Sequence, residues 1–105
     1  MRMWDVDPKL LCRKHLLGEH VEMHMFAGTI KKGISIQGYI DNGLVNPFWI
    51  TLRHEQLAEE MTKRGYNHQS DLDFSSYKLK LIPVDVEKNK GELRNRCVEC
   101  KSNGI

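Results

Sequence analysis

The stretch HLLGEHVEMH, residues 15–24, carries three histidines and two glutamates in ten positions. Upstream of it, Asp7 and Pro8 are typical of a helix start, with Asp at the N-cap and Pro at the first helical position. Apart from Gly18, no breaker follows until Ala27-Gly28. The pattern therefore predicts a first helix from about residue 8 to about residue 26.

One face of this predicted helix is apolar. At about 100° per residue, the stripe expected to face the core consists of Leu10, Leu17, Val21 and Met25. A different face is expected to be exposed, and it holds Arg13, His20 and His24. These two faces leave a third stripe between them.

The third stripe is mostly polar and contains His15, Glu19, Glu22 and Phe26. Apolar neighbours flank it, so it is expected to lie in a crevice, where burial raises the pKa of a carboxyl group and suits it to acid/base work. The alternative is a buried glutamate that is satisfied by Arg2 or His15. The residues alone leave both interpretations open.

The rest of the chain predicts a small all-α protein. A glycine-rich connector follows Gly28, a second helix is expected from about Phe48 to Arg64 with Gly65 after it, and residues 77–84 alternate like a short strand. We expect a compact single domain, residues 1–105, of about three helices. Residues 1–70 form its helical core and residues 71–105 an irregular or strand-like extension.

Composition narrows the class of protein. The chain has 105 residues, a net charge of +2 and 40% hydrophobic residues, which is typical of a globular protein. It lacks a signal-peptide pattern and a run of 18 apolar residues, so neither secretion nor a membrane partner is expected. Cys12, Cys97 and Cys100 are too few for a disulfide scaffold, which favours a cytoplasmic location.

Two patterns raise the question of a metal. His20 and His24 have the i, i+4 spacing of two zinc ligands, and Cys97-x2-Cys100 is half of a zinc-knuckle pattern whose other ligands could be Cys12 or a histidine. A solvated polar face and reduced cysteines are the favoured interpretations. No metal and no cofactor are therefore expected.

Basic residues lie near the ends of the predicted helices, where phosphate contacts are common. They are Lys31, Lys32, Arg53, Lys63 and Arg64. Such charges are more often a solvating surface. On their own they support a nucleic-acid partner only weakly.

Three spaced motifs in residues 1–70 resemble a known family. Met1-Arg2 is followed by His15-Leu-Leu-Gly-Glu-His-x-Glu22 and by Arg53-His-Glu-x-Leu-Ala-Glu59, which runs into Lys-Arg-Gly-Tyr-Asn67. This arrangement resembles the pyrimidine-dimer DNA glycosylases, the phage endonuclease V group and its bacterial relatives. The Cys-x2-Cys tail is similar to that of the bacterial relatives only.

The resemblance implies an all-α enzyme whose N-terminal amine attacks C1′ of a damaged nucleotide, forms a Schiff base and cuts the strand by β-elimination. It implies catalytic roles for Met1, Arg2 and Glu22, and it aligns His15 and Glu19 with the family's helix motif. An α-amine suits this chemistry because α-amines titrate near about 8, well below lysine, so an appreciable fraction is neutral and nucleophilic.

Two departures from the phage relatives matter. Those relatives expose a threonine after losing the initiator methionine, whereas Arg2 is too bulky for the aminopeptidase, so Met1 is expected to remain as the nucleophile. Val21 and Met25 stand where the phage enzyme has arginines that grip DNA near the lesion. The lesion recognised therefore stays open.

The leading hypothesis is a metal-independent DNA glycosylase with AP-lyase activity that acts, as a monomer, on double-stranded DNA with a damaged or abasic site. One alternative is a non-catalytic, zinc-containing nucleic-acid-binding module built on the basic residues and the Cys97/Cys100 pair. A further alternative is a metal-dependent nuclease that uses Glu19, Glu22 and a histidine.

Overall fold

The computed structural model describes residues 1–67 and 70–105, and within these ranges the fold is all-α, as predicted. Its helices are α1 (Arg13–Lys31), α2 (Gln37–Asp41), α3 (Ile50–Lys63), α4 (Val86–Arg96) and α5 (Val98–Ser102). The expected number of about three corresponds to the three longer helices, α1, α3 and α4. No helix in the described ranges is both long and apolar enough to cross a membrane.

The first helix begins later than predicted. Asp7 caps only a short 3-10 turn, Pro8–Leu10, by accepting a hydrogen bond from the Lys9 amide. The backbone then becomes extended at Leu11 and Cys12, and α1 begins at Arg13 with the Cys12 sulfur as its cap. The predicted start at residue 8 is wrong because the Asp-Pro signal initiates a single turn that is not continued.

The buried face of α1 also differs from the prediction. Val21 and Met25 are 54% and 49% exposed, and His20, expected on an exposed face, is buried. The buried side chains of α1 are Leu16, Glu19, His20, Met23, Phe26 and Ala27. This face packs against α3, which carries Arg53 opposite Glu19. Within the polar stripe, Glu19 turns inward because Arg53 of α3 supplies the opposite charge.

Helix α3 follows the prediction closely. A 3-10 turn, Pro47–Trp49, leads into it, and its apolar residues Ile50, Leu57 and Met61 are buried. The chain leaves α3 at Gly65, whose φ of 82° is a left-handed conformation that glycine adopts without steric cost.

The C-terminal third is irregular over residues 70–85, as predicted, then forms α4 and α5, and it contains no strand in its described residues. The prediction of a strand in residues 77–84 is wrong. The backbone groups of this segment form isolated hydrogen bonds to the loop before α3 and not the regular ladder of a sheet. The Ile82 amide donates to the side chain of Asn46, and the Lys80 carbonyl accepts from the Phe48 amide. Asp85 then caps α4, whose residue Leu93 is fully buried.

Candidate active site

The N-terminal segment lies against the middle of α1. The amino nitrogen of Met1 is 3.9 Å from Oε1 of Glu22, and the backbone N–H of Arg2 donates a hydrogen bond to the same carboxylate. The Met1 side chain is 12% exposed and that of Glu22 is 31% exposed, so both are partly screened from water. The structure therefore brings together the amine and the carboxylate that the sequence singled out.

Contacts from three parts of the chain hold this segment in place. The Met3 amide donates to the Leu44 carbonyl at 2.7 Å, and the Asn89 side chain on α4 donates to the Trp4 carbonyl, also at 2.7 Å. The backbone amides of Trp4 and Asp5 donate to the Glu19 carboxylate. The position of the Met1 amine thus depends on α1, α4 and the chain after α2.

The side chain and the backbone of Arg2 contact different parts of the structure. Its guanidinium donates to Glu92 and to the side-chain oxygen of Asn89, both on α4, and lies 4.1 Å above the Trp4 ring. Its backbone faces Glu22. The positive charge of Arg2 is therefore held by residues of α4, at the wall of the cavity that Met1 also lines.

A cavity of about 420 Å³ opens over the Met1 amine. Its lining residues are Met1, Arg2, Trp4, Lys14, His15, Gly18, Glu19, Glu22 and Arg96. Lys14 and Arg96 were not predicted as site residues. Lys14 could have been found, because it shares a helix face with Gly18 and Glu22 at i, i+4 and i+8. Arg96 had no such signal, because it reaches the cavity from α4.

The electrostatics of the cavity centre on Glu22. Burial raises the pKa of Glu22 above its ordinary value of 4.5, because the charged form loses hydration. The Met1 ammonium and the Arg2 backbone N–H oppose this shift. A carboxyl group in this setting can exchange a proton with the neighbouring amine.

Glu19 has a different environment from Glu22, although both belong to the same stripe. Its carboxylate is 1% exposed and forms a two-pronged ion pair with Arg53, at 2.6 Å to Nε and 2.9 Å to Nη2. Because it also accepts the amides of the N-terminal segment, Glu19 positions that segment. Arg53 is itself 1% exposed, so its guanidinium is not on a surface that phosphate could reach.

The other predicted phosphate contacts lie outside the cavity. Lys31 and Lys32 are exposed at the end of α1, with Lys31 3.9 Å from Asp73. Lys63 pairs with Glu59 on α3. Arg64 donates to the Leu11 carbonyl and to the carbonyl of Pro8, so it fastens the first turn to the end of α3.

The structure also assembles two groups of metal-binding residue types. Cys12, His15, Cys97 and Cys100 place one ligand atom each within 4.8 Å of one another, and His20, His24 and His54 form the second group. Both groups contain residues that the sequence singled out in pairs. His54, on α3, completes the histidine group. Cys12 and His15 complete the cysteine group, and their spacing, Cys12-x2-His15, was not recognised in the sequence as a pair of metal ligands.

A sequence model of one family, described as pyrimidine dimer DNA glycosylase, matches residues 1–74 of the 105-residue chain. The chain belongs to this family. Comparisons with curated proteins and with solved structures gave no match. The match includes Met1, Arg2 and Glu22, and membership in the pyrimidine dimer DNA glycosylase family supports glycosylase activity on a DNA substrate.

The part of this family member that lies beyond the match contributes to the same cavity. Helices α4 and α5 follow residue 74, yet Asn89 and Glu92 bind Arg2, and Arg96 lines the cavity wall. The cavity over Met1 is therefore completed by residues outside the segment that the family model matches.

Proposed function

We propose that this chain is a DNA glycosylase with AP-lyase activity that uses the Met1 amine as nucleophile and Glu22 as the acid/base carboxylate. The observation that carries the proposal is the distance of 3.9 Å between the Met1 nitrogen and Glu22 Oε1 in a cavity open to solvent. Family membership supplies the substrate class.

The reaction begins at C1′ of the damaged nucleotide. The neutral amine forms a nitrogen–C1′ bond while the glycosidic bond breaks, and the base departs with the bonding electron pair. The negative charge of Glu22 stabilises the cationic sugar during this step, and Glu22 then accepts the proton that the attacking nitrogen loses. Protonated Glu22 gives that proton to O4′ as the C1′–O4′ bond breaks, which opens the sugar ring and gives a protonated imine, while water protonates the departed base.

Strand cleavage follows from the imine. A general base on the protein removes a proton from C2′, and a C1′–C2′ double bond forms that is conjugated with the nitrogen. The bond from C3′ to its phosphate oxygen then breaks, and the phosphate leaves with the bonding electron pair. Glu22 is suited to this proton transfer because it lies beside the nitrogen. Water then hydrolyses the imine and restores the amine.

The proposed substrate is double-stranded DNA with a damaged or abasic nucleotide extruded from the stack, which costs a few kcal/mol. Lys14 and Arg96 line the cavity and are exposed, so we assign them phosphate contacts beside the lesion. Lys31, Lys32 and Lys63 remain candidates for contacts farther along the duplex. We further propose that the protein acts as a monomer in the cytoplasm, which suits its free cysteines.

Borohydride trapping tests the mechanism. The protein is incubated with a duplex that contains one abasic site, sodium borohydride is added, and peptide mass spectrometry locates the adduct after the N-terminus has been verified. We expect an adduct on Met1, its loss in N-terminally acetylated protein, and its reduction by about 100-fold or more in Glu22→Gln.

The matched control is Glu59→Gln, which alters an exposed glutamate of α3 that pairs with Lys63 outside the cavity. This variant should trap like the wild type. Equal trapping by acetylated and free-amine protein would overturn the amine mechanism. Cleavage that folded protein loses in EDTA and regains with added magnesium, with no trapped adduct in either state, would instead favour the metal-dependent nuclease.

A further inference from the structure

Three cysteines and one histidine meet beside the cavity, at the junction of α1 with the C-terminal helices. Cys12 caps α1, His15 lies in its first turn, Cys97 separates α4 from α5, and Cys100 lies within α5. Every cysteine of the chain belongs to this group. Three thiols and an imidazole form one of the standard ligand sets of structural zinc.

The spacing of these atoms fits a tetrahedral zinc ion. Zinc–sulfur bonds of about 2.3 Å and zinc–nitrogen bonds of about 2.0 Å place ligand atoms about 3.5–3.8 Å apart. The sulfurs of Cys12 and Cys97 are 3.8 Å apart, and His15 Nδ1 is 3.6 Å from the Cys100 sulfur. His15 Nδ1 lies closer to Cys12, at 3.1 Å, so this pair would separate by a few tenths of an ångström.

Backbone amides already point at the sulfurs. The His15 amide donates to Cys12 Sγ, the Cys100 amide to Cys97 Sγ and the Cys12 amide to Cys100 Sγ, each at 3.4 Å. Such bonds stabilise the thiolate form that binds metal. Cys12 and Cys100 are buried, and Cys97 is partly buried, so the group is shielded from bulk water as structural zinc sites usually are.

We propose that Cys12, His15, Cys97 and Cys100 bind one structural zinc ion that fastens α4 and α5 to the start of α1. The sulfur ligands favour zinc over magnesium or calcium. The ion would fix the position of α4, the helix from which Asn89 and Glu92 bind Arg2. This proposal assigns His15 to the metal rather than to substrate, and it holds whether or not the chain is a glycosylase.

The histidine group of His20, His24 and His54 provides an internal alternative for any metal that is found. Its ligand atoms are nitrogens, with His24 Nε2 and His54 Nε2 3.1 Å apart. A metal held there would show no sulfur ligation. Cobalt(II) distinguishes the two groups, because only thiolate ligands produce a thiolate-to-cobalt charge-transfer band.

The first experiment measures the zinc content of the full chain by elemental analysis and then the absorption spectrum after replacement of the metal by cobalt(II). We expect one zinc per chain, a thiolate-to-cobalt band and tetrahedral ligand-field bands. Cys97→Ser, which alters the most exposed sulfur ligand, should weaken cobalt binding at least about 10-fold. Ser102→Ala, an exposed position on α5, should not change it.

A second measurement does not depend on folding of the variants. Alkylation of the wild-type chain is followed by mass spectrometry with and without a chelator. Bound zinc should protect all three cysteines, and the chelator should expose them together.

Three results would overturn the proposal. They are a folded wild-type chain without zinc or a charge-transfer band, a metal lost in His24→Asn but retained in Cys97→Ser, and a disulfide between any two of the cysteines in freshly purified protein. None of these results depends on trapping of DNA, so the zinc site and the lyase mechanism can fail separately.

Discussion

The amino nitrogen of Met1 lies 3.9 Å from Oε1 of Glu22, although Met1 belongs to an extended segment and Glu22 to the middle of α1. Three anchors produce this approach: Leu44, Glu19 and Asn89 each bind the backbone of residues 3–5. Because the anchors come from different parts of the chain, the amine is held by the tertiary fold as a whole.

The rate of borohydride trapping, which depends on the Met1 amine and Glu22, should fall at acidic pH. Burial raises the pKa of Glu22 above 4.5, so Glu22 becomes protonated, and unable to accept a proton, at a higher pH than an ordinary glutamate. The trapping rate should therefore fall at acidic pH for two reasons, protonation of the nucleophilic amine and protonation of Glu22 above 4.5, and only the first should remain in the residual activity of Glu22→Gln. Single-turnover trapping rates of both proteins across pH measure the difference. A wild-type profile with the same shape as that of Glu22→Gln would contradict the assignment of Glu22.

The same substitution should not reduce stability at neutral pH. Above the raised pKa the folded chain bears the cost of a poorly hydrated Glu22 charge, which glutamine removes. As the pH falls through the raised pKa towards 4.5, wild-type Glu22 also becomes neutral and the difference should vanish. Thermal unfolding of both proteins at several pH values tests this. A variant that is less stable at neutral pH would show that attraction to the Met1 amine outweighs burial.

Asn89→Ala should reduce trapping with a moderate loss of stability. The side chain donates to Trp4 and accepts from Arg2 in a buried setting, and loss of such bonds costs about 1–3 kcal/mol. The displaced N-terminal segment should lower the trapping rate about 10-fold or more, since catalysis depends on the placement of the amine. Asn95→Ala, at an exposed position of α4, is the control. Unchanged trapping in Asn89→Ala would mean that Leu44 and Glu19 position the segment without it.

Arg53→Met should be strongly destabilising. It leaves the Glu19 carboxylate buried without its cation, and breaking a buried pair in this way costs about 3–5 kcal/mol. Replacement of both residues by Met should recover part of this loss, although the amides of Trp4 and Asp5 would still lack their acceptor. Urea unfolding of the single and double variants gives the coupling energy. Additive losses would show that the pair does not act as a unit.

Lys14→Ala and Arg96→Ala should each weaken binding to an abasic duplex. If each residue contacts one phosphate, the slope of log affinity against log salt should become shallower by about 0.9 for each substitution. Lys101→Ala, at an exposed position of α5 that does not line the cavity, serves as the comparison. An equal change for Lys101 would contradict the assignment of the phosphate contacts to Lys14 and Arg96.

Arginine at positions 21 and 25 should tighten binding to duplex DNA. Val21 and Met25 are half-exposed on the helix that carries Glu22, so arginines would be accommodated without burial of charge. Two new phosphate contacts would steepen the salt dependence by about 1.8. Competition between undamaged and pyrimidine-dimer duplexes would show whether dimer preference also appears. An unchanged slope would place this face away from the backbone of the bound duplex.

Local sequence information was sufficient for the helical class, the extent of α3 and the presence of a stripe on α1 that contains Glu19 and Glu22. Each depends on neighbouring residues: Ile50, Leu57 and Met61 repeat at helical spacing, and Gly65 ends the helix. The proposed roles of Met1 and Glu22 came from resemblance to a family. No local sequence pattern predicts that these two residues lie close together in space.

The start of α1, its buried face and the cysteine group depended on packing. Periodicity specifies which residues share a stripe, but the free energy of burial depends on what lies opposite, and Arg53 on α3 makes the Glu19 face more favourable to bury than the Val21 face. Similarly, Cys12 and Cys97 meet because α4 folds back against the start of α1. Contacts between residues so distant in the chain follow from helix packing, which no local pattern encodes.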